Sequence, residues 1–161
     1  DLLLLRLNVL KGCWNKADWA KLIRNIKYTD QARELFQTLK GKGIKIGIVS
    51  GGFTEMVEHV GNYLGADIVL ANELEYDSDG HITGNVLGKI IDGQQKLNFL
   101  LSQTKTEEAM AVGDGSNDIP MIKTASVGIA FMGKPKVKQA ADYCIDIPSF
   151  SPLINLLNQM H

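Results

Sequence analysis

The sequence has no long basic run, and its formal net charge is only −1 over 161 residues. Nucleic acids and anionic membranes are held by Lys and Arg that neutralise phosphate, so neither partner is expected. Cysteine is scarce: Cys13 and Cys144 are the only two, far apart in sequence. They make no CxxC metal signature and no disulfide framework, which fits a reducing cytoplasm. Long apolar runs are missing too. Leu2–Leu5 is much too short for a bilayer span, and Arg6 and Asn8 interrupt the apolar stretch beyond it. The basic start and small-residue cleavage site of a signal peptide are lacking, as are internal repeats and Pro/Ser-rich linkers. The first residue is Asp1 rather than Met, which raises the expectation that the chain is a piece of something longer.

What is present is a composition of 45% hydrophobic and 22% charged residues, suited to a soluble globular domain with a real core. Residues 1–27 read as helical, with Trp19, Leu22, Ile23 and Ile26 on one face. Thr29 is placed to cap a helix over 30–39 that Gly41 and Gly43 end. "IKIGIVS" (44–50) has the look of a strand covered on both faces, and Thr54 is placed to cap a helix closed by Gly65. Residues 67–86 predict a strand and then a hairpin turning at "DSDG". A helix over 93–103 carries Leu97, Leu100 and Leu101. Strands at 109–113, 126–130 and 142–146 alternate with helices near 118–124, 134–141 and 151–159. Such alternation predicts an α/β fold with a mainly parallel sheet, whose ligand site lies beyond the carboxyl ends of the strands.

Three polar clusters fall at those ends. In "IVSGGF" (48–53), Ser50, Gly51 and Gly52 combine a hydroxyl with unobstructed backbone N–H groups before a helix N-terminus, a cradle for phosphate oxygens. The same residues also read as a plain strand-to-helix turn. Lys96, early in its helix, is either a site lysine or solvated surface, and Lys89 competes with it. In "VGDGSNDIPMI", Asp114 ends a strand and Asp118 opens a helix, with Asn117 between. Hard oxygens there suit Mg²⁺, which takes few protein ligands. Capping accounts for Asp118 alone, but not for Asp114 and its glycines.

"IVSGGF", Lys96 and "VGDGSNDIPMI", in that order, resemble the later motifs of the haloacid dehalogenase superfamily, narrowing to its phosphoserine phosphatases. "ANELEYDSDGHITGNVLG" is similar to the hairpin of that family, "AFMGKPKVKQAAD" to a later segment, and "RLNVLKG" (6–12) to the end of a cap helix. The resemblance implies a Rossmann-like core (29–161) with a β-hairpin insertion and the remnant of a small helical cap (1–28). It implies that Ser50, Gly51 and Gly52 hold the transferring phosphoryl group, that Lys96 neutralises it, and that Asn117 lies near it. Asp114 would bind Mg²⁺, Asp118 would support the metal site or orient Lys96, and Arg6 would pair with a substrate carboxylate.

The implied reaction is hydrolysis of L-phosphoserine, a small-molecule phosphomonoester, in serine biosynthesis. Rivals are another small phosphomonoester, or a non-catalytic module binding phosphate or a partner; a homodimer is left open. The family's first motif, a nucleophilic Asp-x-Asp-x-Thr, is absent from these 161 residues. The chain alone is therefore expected to be inactive, with the first strand of the core missing from between 44–50 and 109–113.

Overall fold

The computed structural model describes residues 2–159. The elements run α1 (Leu2–Leu10), α2 (Lys16–Ile23), α3 (Ala32–Gly41), β1 (Gly47–Phe53), α4 (Thr54–Leu64), β2 (Ile68–Tyr76), β3 (Ile82–Leu87) and α5 (Gly93–Gln103). They continue with β4 (Met110–Gly113), α6 (Ile119–Thr124), β5 (Val127–Phe131), α7 (Pro135–Lys138), β6 (Tyr143–Ile145) and α8 (Ser151–Gln159). The chain divides into two compact units: the part up to Tyr28 with Lys45–Ile90, and Thr29–Ile44 with everything from Ile91 onward. Among the described residues, no helix is long and apolar enough to cross a membrane.

In the first unit, β1 pairs in parallel with β2, and β2 pairs antiparallel with β3. The single helical stretch expected over 1–27 is instead two helices. The chain turns after Leu10, and Asn15 then starts α2 with a reciprocal cap: its side chain accepts from Ala17 and Asp18 N–H, and Asp18 accepts from Asn15 N–H. Both helices send apolar side chains onto the hairpin, so Leu7 and Trp19 are buried with Leu74 and Ile82. Leu22, expected on the inner face, is exposed because α2 ends one residue later.

The caps expected from Thr29 and Thr54 are not made. Helix α3 begins at Ala32 after Gln31, and Thr54 is already the first residue of α4. Gly65 closes α4 in the left-handed conformation, as its position predicts.

A half-buried polar chain crosses this unit: Trp19 Nε1–H donates to Tyr76 Oη at 2.8 Å, and Tyr76 O–H donates to Glu55. Burial first, and then the Glu55 carboxylate, push the Tyr76 phenol above its ordinary pKa. Folding therefore favours the neutral phenol. That contribution is complete below about pH 10, the unfolded value, and is lost as pH rises beyond it. Urea unfolding followed from roughly pH 8 to pH 11 should show a steeper alkaline loss for the wild type than for Tyr76→Phe. Equal slopes would remove this assignment.

In the second unit, β4, β5 and β6 form a parallel sheet in that order, with Met110 opposite Val127 and Ile129 opposite Tyr143. Leu35 of α3 and Leu153, Ile154 and Leu157 of α8 pack with Ile129 and Ile145 to form its core. Carboxylates close the strand starts. Asp142 accepts the N–H of Gly128 at 2.7 Å, and in the first unit Asp67 accepts that of Ile46 at 2.7 Å. Helix α5 departs from its expected stripe: Leu101 is half exposed, whereas Lys96 is buried.

Among the described residues, β1 pairs only with β2, and β4 only with β5. Leu2–Leu10 is helical and joins neither sheet.

Candidate active site

Strand β1 does not stop at Ser50 as expected but runs on to Phe53. Its register explains why. Val49 lies opposite Leu70 and Phe53 opposite Asn72, so β1 has more chain than β2 to fit between the same two rungs. The surplus is taken up as a bulge at Ser50–Gly52. Ser50 Oγ accepts the Gly52 N–H at 3.0 Å, and Asn72 Nδ2 donates to the Gly51 carbonyl at 2.9 Å. Thr54 Oγ1 donates to the Asn72 carbonyl at 3.1 Å, so the threonine ties α4 to β2 rather than capping it.

The result is a hydroxyl and a tight glycine backbone held at a helix N-terminus, an arrangement suited to phosphate oxygens. Asn72, only 1% exposed, pins the bulge. Sequence reasoning missed it, although a lone amide in the apolar run "DIVLANEL" was a usable signal, because such a group must find a partner when buried. In the same unit Arg6 lies on the exposed side of α1, and among the described residues no carboxylate is bonded to it.

The two candidate lysines differ in burial and in partner. Asp92 caps α5 by accepting the Gln95 N–H at 2.8 Å, which places Lys96 in the first turns with its side chain inward. Lys89 is exposed, whereas Lys96 Nζ lies 2.6 Å from Asp118 Oδ1 with both residues buried. The other oxygen, Asp118 Oδ2, accepts the N–H groups of Asp114 at 3.1 Å and Gly115 at 3.0 Å.

Asp118 therefore does more than start a helix: it joins the lysine to the end of β4. Gly113 makes this approach feasible, since a Cβ there would lie 2.4 Å from Asp118 Cβ. A buried ion pair recovers its desolvation cost only with the help of further hydrogen bonds, and here both carboxylate oxygens are engaged.

Asp114 is exposed, and its carboxylate has no protein partner among the described residues; Asn117 is exposed beside it. No group of three His, Cys, Asp or Glu suited to a metal occurs among the described residues. The donors present are thus one available carboxylate with a second, already hydrogen-bonded, behind it. That sparse oxygen set fits Mg²⁺, which commonly takes one or two carboxylates and leaves its other positions to water and phosphate.

The structure brings Lys96, Asp114, Asn117 and Asp118 together in one unit, and Ser50, Gly51 and Gly52 with Asn72 in the other. Residues 4–123, which span both groups, match the haloacid dehalogenase-like hydrolase family. The chain belongs to the haloacid dehalogenase-like hydrolases. Its similarity extends to a phosphoserine phosphatase of Streptococcus thermophilus, 39% identical over 160 residues, 96% of this chain and 74% of that one. A phosphoserine phosphatase of Lactococcus lactis is 39% identical over 142 residues, 85% of this chain and 65% of that one.

Among solved structures, a phospho-aspartyl intermediate analogue of phosphoserine phosphatase superposes with a TM-score of 0.86 at 34% identity, over 96% of this chain and 75% of that one. The chain thus spans about two thirds to three quarters of the length of these relatives. No Asp-x-Asp-x-Thr occurs in the chain, and "DSDG" (77–80) is the hairpin turn.

Proposed function

We propose that the chain is the larger part of a phosphoserine phosphatase, hydrolysing L-phosphoserine to L-serine and phosphate in the cytoplasm for serine biosynthesis. The observation that carries this reading is the buried Lys96–Asp118 pair tied to the Asp114–Gly115 backbone, in a hydrolase family whose similar members bear that name. Lys96 offsets phosphoryl charge as it builds up, and Asp118 fixes the lysine's position without contacting substrate. Ser50 and the Gly51 and Gly52 backbone receive phosphoryl oxygens, with Asn117 as a further donor. Asp114, backed by Asp118, would hold Mg²⁺, which when bound draws charge from the phosphoryl oxygens.

The chain has no Asp-x-Asp-x-Thr to supply the attacking group. We assign that role to a carboxylate in a segment N-terminal to it in the full-length protein; the phospho-aspartyl analogue seen in a relative supports this. Arg6, on the part of a helical cap that 1–28 supplies, pairs with the substrate carboxylate through its planar, two-pronged guanidinium.

Turnover of L-phosphoserine by the full-length protein tests the reading, and its absence defeats it. Arg6→Ala should raise KM for L-phosphoserine about tenfold or more while sparing phosphoethanolamine, which has no carboxylate. Equal losses on both esters would remove the clamp.

A further inference from the structure

The hairpin carries a second irregularity, on β3. Leu74 pairs with Val86 and Tyr76 with Ile82, so Glu75 alone stands opposite Thr83, Gly84 and Asn85. The bulge is clamped from across the hairpin. Glu75 Oε2 accepts Thr83 Oγ1–H at 2.6 Å and Asn85 Nδ2–H at 2.8 Å, and Thr83 Oγ1 in turn accepts the Asn85 N–H at 3.3 Å. These hydrogen bonds, Thr83's first, also hold the Glu75 carboxyl below the usual carboxylate range. At the crest Gly84 takes φ +90°, a conformation that glycine alone adopts at little cost.

What the crest meets is α1. A Cβ on Gly84 would come 2.9 Å from Asn8 Oδ1 and 3.7 Å from Asn8 Cα, so backbone approaches backbone there. Beside this contact Leu7 is buried with Ile82 and Leu74. Beyond the end of α1 the chain is stitched to the same hairpin: Gly12 N–H donates to the Ile82 carbonyl at 3.0 Å, Ile82 N–H to Trp14 at 2.9 Å, and Lys16 N–H to Gly80 at 3.3 Å. Arg6 and Asn8 are two positions apart, about 200° around a helix, so the face that meets Gly84 is opposite the one bearing Arg6.

We infer that the Glu75-clamped bulge at Thr83–Gly84–Asn85 is the seat that fixes the Arg6 helix, making these four residues determinants of substrate choice that never touch substrate. The inference rests on the reading of Arg6 as a carboxylate clamp. A bulge here is a means of re-aiming a neighbour rather than a defect, because two surplus residues and a left-handed glycine are held by three side-chain hydrogen bonds.

The test uses the full-length protein with Gly84→Ala and, as a milder change that keeps the glycine, Thr83→Val. Each should raise KM for L-phosphoserine, by about tenfold for Gly84→Ala, with kcat within about twofold and phosphoethanolamine spared. Combining Arg6→Ala with Gly84→Ala should be no worse than Arg6→Ala alone, because the helix has then lost what it positions.

Hydrogen exchange should quicken in α1 amides but not in α5 or α6, and that contrast separates a displaced helix from a protein that fails to fold. If Gly84→Ala loses protection everywhere, Thr83→Val carries the test. Unchanged α1 exchange, equal losses on both esters, or additive losses in the double variant would each overturn the inference. Should Arg6→Ala leave the phosphoserine KM unchanged, the clamp reading falls, and the inference of a substrate-selecting seat falls with it. The α1 exchange then still reports whether the bulge holds the helix.

Discussion

Asp118→Asn is expected to lower kcat for L-phosphoserine by about 10²–10³ and to destabilise the protein by about 3–5 kcal/mol. The carboxylate serves three donors at once: Lys96 Nζ at 2.6 Å and the Asp114 and Gly115 N–H groups at 3.1 and 3.0 Å. An amide of the same shape has one oxygen, so it can answer the lysine or the loop, but not both. If it answers the loop, Lys96 is left charged and buried without its partner. If it answers the lysine, two backbone donors in the Asp114 turn lose theirs.

Lys96→Met should be as costly from the other side, since it strands the carboxylate. Joining Lys96→Met with Asp118→Asn should regain much of the stability while leaving turnover near zero, because no charge is then buried and the amide oxygen can still accept from the Asp114 and Gly115 N–H groups. Thermal melts and steady-state kinetics on the four proteins distinguish a catalytic lysine from a merely structural one. Wild-type turnover in Lys96→Met, at any stability, would falsify the assignment.

Residues 1–161 alone should show no phosphoserine turnover, and extending the protein upstream should restore it. Hydrolysis through a covalent intermediate needs an attacking carboxylate, and the chain has no Asp-x-Asp-x-Thr to supply one. The same deficit has a physical side. One edge of β1 and one edge of β4 have no partner strand among the described residues, leaving rows of N–H and C=O groups open to pairing with another chain. Light scattering on the isolated chain should therefore report association, and the extended protein should be monodisperse with a higher melting temperature. Turnover by 1–161 alone would place the attacking group within the chain. An extended protein with no turnover would instead favour a non-catalytic module that binds phosphate or a partner.

The residues differ in how openly the sequence declares them. The order of strands and helices was readable because alternating apolar runs, and stops such as Gly65, act within a few residues. The two motif clusters were readable for the same reason: "SGG" and "GDGSND" are contiguous, and their chemistry lies in adjacent residue types. The break between α1 and α2 was half declared: "RLNVLKG" (6–12) reads as a helix end, and Gly12 stands there at φ +70°, although 1–27 reads as helical throughout. Apolar spacing says which side is buried, and is blind to the turn between Leu10 and Asn15.

Choices that depend on a distant partner needed the folded chain. Lys96 and Lys89 look alike in sequence; Asp118, 22 residues from Lys96, is what separates them. Asn72 became a site residue only when the register of β1 against β2 set it beside Gly51. Glu75 reads as a surface strand residue until three residues of β3 are found opposite it. Residue type and spacing specify which group is present and which way its backbone turns, because those are local energies. Which group it meets is set by strand register and helix packing, and these are summed over the whole unit.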